Sequence, residues 1–197
     1  LDFAHTDVGI GGMTSLLSFF RARPEQTIDL NLEKADINNP GIDVLTEILN
    51  VSKIGCLSLS QNSFDGEALE RLLSAQNARH LVTIELDKCP RVDEAGFRSL
   101  SRLLERTDTD LTELYVSPTI VHAKSLVESV SKCSKLETLG LWTKRRPPHE
   151  QMRQIRTELA PLLKNSVCNT NSFEDLCNCK LGEFRHSAFA QTHRCLE

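Results

Sequence analysis

Ile54-Gly55-Cys56-Leu57-Ser58-Leu59-Ser60-Gln61-Asn62-Ser63-Phe64 is the stretch on which the fold turns. Leu57 and Leu59, two residues apart, give one face of a short strand, and Ile54, Leu57, Leu59, Asn62 and Phe64 take inward positions. The same apolar pair recurs as Leu1-Phe3, Leu30-Leu32, Ile84-Leu86, Leu114-Val116 and Leu139-Leu141, with starts 29, 27, 27, 30 and 25 residues apart. So regular a period marks a repeat architecture. The copy from Leu81 to Val92, LVTIELDKCPRV, places Leu81, Ile84, Leu86, Cys89 and Val92 in the same roles with one extra residue.

Between these strands, apolar residues recur at steps of three and four. They are Met13, Leu16 and Leu17; Ile42, Leu45, Ile48 and Leu49; Leu69, Leu72 and Leu73; Phe97, Leu100, Leu103 and Leu104; and Leu126, Val127 and Val130. Each set is the buried stripe of a surface helix. Gly12, Gly41, Gly66 and Gly96 fall near the helix starts, either where chains approach closely or as tolerated loop residues. Strands on one side and helices on the other predict a curved solenoid, because one unit cannot bury its apolar face without a neighbour. The pattern LxxLxLxxN/CxL from Ile54 to Phe64, with Asn62 at the asparagine position, and its Cys89 variant resemble the leucine-rich repeat family in its long-repeat, ribonuclease-inhibitor-like form. Thr6, Ala35 and Thr119 depart from the asparagine position in other copies. The resemblance covers about Leu1 to Leu141 and implies an α/β solenoid with parallel strands on the concave face and helices on the convex face. It is nearly silent on function, because a fold of this kind hosts many binding roles.

The chain has 197 residues, 40% hydrophobic and 25% charged, with a formal charge of -4. These values fit one folded unit or a short array and exclude a disordered chain. No run approaches the ~18 apolar residues of a membrane span, and LDFAHTDVGIGG lacks the basic start and apolar core of a secretory leader. Seven cysteines, an odd number, favour a reducing compartment and hence a cytoplasmic location, with Cys56, Cys89 and Cys133 as buried or half-buried thiols. The sequon Asn50-Val51-Ser52 sits at an expected helix end and is too common a triplet to indicate secretion.

The array is expected over 1–143, as about six repeats of a longer polypeptide, since Leu1 and Phe3 already occupy inward positions. A terminal helix or cap is expected over 144–164, from Met152, Ile155, Leu159, Leu162 and Leu163, and a cysteine-containing extension over 165–197. In that extension Cys177, Cys179, His193 and Cys195 are soft ligands, but one residue between Cys177 and Cys179 is too few for a structural zinc pair. Free thiols, or a disulfide through Cys168 or Cys195, are the alternatives, and the sequence assigns no metal and no cofactor.

Strand alternation sends the residues between the inward pair to the concave face. One column is Asp2, Asn31, Ser58, Glu85, Tyr115 and Gly140, and its neighbour is Ala4, Glu33, Ser60, Asp87, Ser117 and Trp142. A third holds Asp29, Cys56, Thr83, Glu113 and Thr138. Glu33, Glu85, Asp87 and Glu113 make the face acidic, and Tyr115 and Trp142 are candidate anchors for a partner. Trp142 alternatively shields the last repeat. Residues 1–143 hold 14 Lys/Arg against 21 Asp/Glu, a balance of -7, and residues 144–197 hold 9 against 6, a balance of +3. An acidic face of this kind disfavours nucleic acid and draws a protein with a basic patch. The Lys144-Arg145-Arg146 run either meets an acidic partner or is a solvated loop.

No nucleophile motif, zinc-protease motif or phosphate loop is present, and the six histidines have no spaced partner. Arg21, Arg23 and Arg91 lie near loops but match no residue pattern of a GTPase activator. The expectation is a non-enzymatic protein-interaction module, monomeric as a fragment, serving as the recognition or scaffold part of a larger protein. The alternative is a regulatory or targeting segment of a multidomain enzyme, including a GTPase-activating type. Leu59→Ala is expected to cost about 2–5 kcal/mol by leaving a cavity, and Ser58→Ala less than about 0.5 kcal/mol. Equal losses in denaturant melts would mean that the strand faces are assigned wrongly.

Overall fold

The computed structural model describes residues 1–116, Leu126, Glu128, Ser129, Cys133 and 135–141. In chain order the elements are α1 (Gly9–Arg21), β1 (Thr27–Asn31), α2 (Asn39–Val51), β2 (Lys53–Ser58) and α3 (Gly66–Leu73). A short 3-10 turn (Ala78–His80), β3 (Thr83–Leu86), α4 (Glu94–Leu104), β4 (Glu113–Val116) and β5 (Thr138–Leu141) follow. The strands form one open sheet in the order β1-β2-β3-β4-β5, and every pair is parallel. From β1 to β4 each strand lies beside its successor with a helix between them, and β5 extends the same sheet, which is the layout of an α/β solenoid.

The expected inward residues face the helices. Leu30, Leu32, Leu57, Leu59, Ile84, Leu86, Leu114 and Val116 are all buried, as are the helix stripes of α1 to α4 and Leu126. Val127, Val130, Ser117, Thr119, Trp142, the expected terminal helix and the cysteine-containing extension lie outside the described residues. At the first unit the expectation of a sixth strand is corrected. Asp2 makes a single parallel bridge to Asn31, and Leu1, expected in the core, is 43% exposed. This segment is paired on one side only, through Phe3 N–H to Asn31 O at 2.9 Å and Asn31 N–H to Leu1 O at 2.9 Å. With no unit stacked on its outer side among the described residues, Leu1 finds no second wall.

The turn after each strand is fixed across units. Asn62 Oδ1 accepts the N–H groups of Ala35 (3.2 Å) and Ile37 (2.9 Å) in the preceding turn, and its Nδ2 donates to Leu32 O (2.7 Å) and Leu59 O (2.9 Å). Cys89 keeps part of this pattern, its thiol donating to Leu59 O at 3.3 Å. Immediately before these positions, His5, Lys34, Gln61 and Lys88 all take the left-handed backbone conformation, with φ of 60°, 51°, 62° and 55°. The strain, about 1 kcal/mol or more for each non-glycine residue, persists because the turn is held from both sides. The N–H groups of His5, Lys34 and Gln61 bond the carbonyls of Glu33, Ser60 and Asp87, just past the strand of the next unit.

Helix starts repeat in the same way. Asn38, Asp65 and Asp93 cap α2, α3 and α4 by accepting from Gly41, Ala68 and Ala95 N–H. Asp65 also accepts from Asn39 Nδ2 at 2.6 Å, and the Ala68 N–H and Asn39 bonds hold its carboxyl below the usual range. Of the four helix-start glycines, Gly66 and Gly96 show the close approach most clearly. A Cβ on Gly66 would lie 2.0 Å from Asp93 Oδ1 and 2.5 Å from the Gly96 nitrogen. Gly66→Ala is expected to destabilise the chain by about 1–3 kcal/mol through overpacking. Gly11→Ala, where a Cβ meets open space within α1, is expected to be neutral or to stabilise by up to about 1 kcal/mol. Paired thermal melts check the contrast, and a neutral Gly66→Ala would refute close helix contact.

Candidate functional site

The concave columns follow the observed register. Asp2 pairs with Asn31, Asn31 with Ser58, Ser58 with Glu85, Glu85 with Tyr115, and Tyr115 with Gly140. Cys56, Thr83, Glu113 and Thr138 form a second row. Glu33, Glu85, Asp87, Glu113 and Tyr115 are thus carried by adjacent strands or the turns that follow them. Trp142 is outside the described residues.

The face is more crowded than alternation alone suggests. Glu85 is only 7% exposed, and Asn31, Ser58, Ser60 and Thr83 are also buried, because neighbouring strands about 4.8 Å apart let short side chains shield one another. Glu33, Asp87, Glu113 and Tyr115 are half-buried. Glu33 accepts a hydrogen bond from Gln61 Nε2, which ties its carboxylate to the neighbouring turn. Asp29 belongs to the sheet more than to the face: its Oδ1 accepts from Cys56 N–H at 2.9 Å where the β1–β2 register shifts. Gly55 leaves room for that carboxylate, since a Cβ there would lie 2.8 Å from Asp29 Oδ1.

Tyr115 is the centre of the arrangement. Its hydroxyl donates to Glu113 Oε2 at 3.3 Å. Burial, followed by the charge of Glu113, its hydrogen bond and the charges of Glu85 and Asp87, pushes the phenol well above its ordinary value of 10.0. Glu113 holds the hydroxyl, and Glu85 sits opposite Tyr115 in the β3–β4 register. The Cys56 thiol in the neighbouring row is pushed up to about 11, mainly by burial, with Asp29 and Glu113 adding to the shift against a hydrogen bond to Thr83. Such a thiol is a poor nucleophile. Cys56, Cys89 and Cys133 are thiols that form no disulfide among the described residues.

Other candidates from the sequence are occupied by structural contacts. Arg21 pairs with Glu47 at 3.1 Å, Arg23 lies 4.1 Å over the Phe19 ring, and Arg91 is 3.7 Å from Asp65. In the sequon, exposed Asn50 accepts through Oδ1 from Gln76 N–H at 2.9 Å, and the buried Ser52 hydroxyl donates to Ile48 O at 3.0 Å. Among the described residues no group of three or more His, Cys, Asp or Glu is placed to hold a metal ion. No helix among them is long and apolar enough to cross a membrane. The left-handed row His5, Lys34, Gln61 and Lys88 was missed by sequence reasoning; its signal is a polar residue at one phase, just before Thr6, Ala35, Asn62 and Cys89.

No protein-family model matches the sequence. No curated protein matches it either. Among solved structures, the chain is similar to leiomodin-1 actin-binding site 2 (ABS2), at 17% identity and a TM-score of 0.52, over 76% of this chain and 90% of that one. A tropomodulin C-terminal domain from Caenorhabditis elegans is matched at 11% identity and a TM-score of 0.39, over 84% of this chain and 81% of that one. The first likeness shows a shared fold.

The raised Tyr115 and Cys56 values carry a sign. The folded chain keeps protons that the unfolded chain has lost, so their contribution is complete below the ordinary values and falls as pH rises past 9.0 for Cys56 and 10.0 for Tyr115. Tyr115 is the only tyrosine, so the ultraviolet band of tyrosinate reports it alone. That band is expected to appear in the folded chain only above the range of free tyrosine, and to return to that range in denaturant. Stability measured by denaturation at rising alkaline pH should decline over the same interval, less steeply in Tyr115→Phe. Titration of the folded chain at the ordinary tyrosine value would show that the ring is not enclosed by carboxylates.

Proposed function

We propose that the chain is a non-catalytic protein-interaction module whose concave face holds a partner with a basic patch. Glu33, Glu85, Asp87, Glu113 and Tyr115 carry the contact, with Trp142 continuing the face. The observation that carries this reading is the placement of half-buried Tyr115, with its hydroxyl on Glu113 Oε2 and Glu85 as its register partner on β3. A cation from the partner relieves the mutual repulsion of the carboxylates, and the aromatic ring adds a surface for apolar or cation–π contact. Glu85, being largely buried, acts through its field more than by direct contact.

In this reading 1–143 is the array, 144–164 its cap and 165–197 a cysteine-containing extension, working as a cytoplasmic recognition or scaffold part of a larger protein. The resemblance of Ile54 to Phe64 and Leu81 to Val92 to leucine-rich repeats supports it, since such arrays bind through extended concave surfaces. A second reading takes its partner from the similar fold described as an actin-binding site. Actin is accordingly a defined second bait beside a basic protein.

Affinity for a partner recovered by co-purification, and separately for filamentous actin, tests both readings. Tyr115→Ala is expected to cost about 2 kcal/mol or more if the ring is a central anchor. Asp87→Lys with Glu113→Lys should weaken the same contact, and wild-type binding should fall as salt shortens the screening length from about 10 Å at 0.1 M to about 3 Å at 1 M. Glu67→Lys on the exposed side of α3 serves as the control. Loss of binding in the control alone, with folded concave variants binding normally, would move the site to the helices.

A further inference from the structure

Away from the concave face, the segments leading into β3, β4 and β5 meet in a chain of charged side chains. His80 Nδ1 lies 3.0 Å from Asp110 Oδ2, and Arg79 Nε donates to His80 Nε2 at 3.3 Å. Asp110 Oδ1 accepts from Lys135 Nζ at 3.0 Å. Asp108 lies 3.6 Å from Arg79 Nη1 and is held by both Arg106 Nε (2.9 Å) and Arg106 Nη2 (3.0 Å). The backbone closes the arrangement, with Asp110 N–H donating to Arg79 O at 2.7 Å. Packed against the 3-10 turn are β2 and α3, which carry Lys53, Cys56, Glu67, Glu70 and Arg71. Glu70 and Arg71 are paired with Arg102 and Asp43, and neither Lys53 nor Glu67 bonds the imidazole.

The two contacts of His80 assign its state. An arginine guanidinium only donates, so Nε2 must accept with its lone pair; a carboxylate only accepts, so Nδ1 must carry the hydrogen. We propose that His80 is a proton-operated latch: neutral, with its proton on Nδ1, it joins Arg79 to Asp110, and on taking a second proton at Nε2 it releases Arg79. The imidazolium presents N–H to N–H toward Arg79, and that bond cannot survive. It keeps Asp110, now as an ion pair. Arg79 is left with Asp108, and the cluster of Arg79, Arg106, Lys135, Asp108, Asp110 and His80 gains one positive charge. The device lies on the edge that joins the third, fourth and fifth strands and does not depend on what the concave face binds.

Geometry makes opposite demands on its neighbours. Arg79 favours the neutral ring and Asp110 the charged one, so removing each must move the titration in opposite directions. Nitrogen NMR of the full chain with labelled histidine reads the tautomer and the midpoint, and His80→Gln identifies the signal among the six histidines. The expected result is a hydrogen on Nδ1 and a bare Nε2 above the transition. Arg79→Gln should raise the midpoint, and Asp110→Asn should lower it, each by about half a pH unit or more. Should Asp110→Asn fail to fold, Lys135→Gln provides the companion measurement, with a raised midpoint expected because a cation behind Asp110 is lost. A ring protonated on Nε2 alone at neutral pH, shifts of the same sign in Arg79→Gln and Asp110→Asn, or no shift in Arg79→Gln, would overturn the latch.

Discussion

The turn between Leu32 and Ile37 contains buried backbone groups that its own unit does not satisfy, and Asn62 of the next unit satisfies three of them with one amide. An orphaned buried N–H or C=O costs about 1–3 kcal/mol, so this amide makes stacking a condition of folding and not a later refinement. The same logic runs through the molecule. Cys56 N–H is satisfied by Asp29 of the preceding unit, Asp65 N–H by Asn39, and Gln76 N–H by Asn50. Apolar burial supplies the larger favourable term, while these polar links set the stagger between units.

Much of this is legible in the order of residues, because a strand face and a helix stripe each impose a period. The pairs at Leu30, Leu57, Ile84, Leu114 and Leu139 set the sheet order and register, and the concave columns follow by counting. Alternation alone fails where depth depends on neighbours. It sends Glu85 to the concave side but does not tell that adjacent side chains cover it. It also assigns Leu1 to the core on pattern, whereas burial requires a second wall that the pattern does not contain. The left-handed conformation at His5, Lys34, Gln61 and Lys88 escapes such reading because none is glycine, the residue normally sought at positive φ.

The concave face also shows how a protein can carry charge without presenting all of it. Short side chains such as Ser58, Ser60 and Thr83 form a buried floor, while Glu33, Asp87 and Glu113 stand partly above it. Tyr115 is half-buried beside them, its hydroxyl on Glu113. The charge beside that ring comes from its own strand through Glu113 and from β3 through Glu85, so any substitution there changes the field as well as the shape.

The helix side is joined in a different material from the strand side. Arg21 reaches Glu47, Arg71 reaches Asp43 and Arg102 reaches Glu70, so each helix from α1 to α4 is tied to the next by long, exposed, solvated side chains. The strands are tied by short backbone bonds at a spacing of about 4.8 Å, whereas packed helices want about 8–10 Å. Each unit is thus a wedge, narrow at the strands and wide at the helices, and stacking wedges curves the array with its strands on the inner arc. Gly66 and Gly96 set how narrow that wedge is between α3 and α4, because a Cβ on Gly66 would lie 2.5 Å from the Gly96 nitrogen. The curvature of the strand face is therefore set on the opposite side of the molecule, by how closely the helices approach one another.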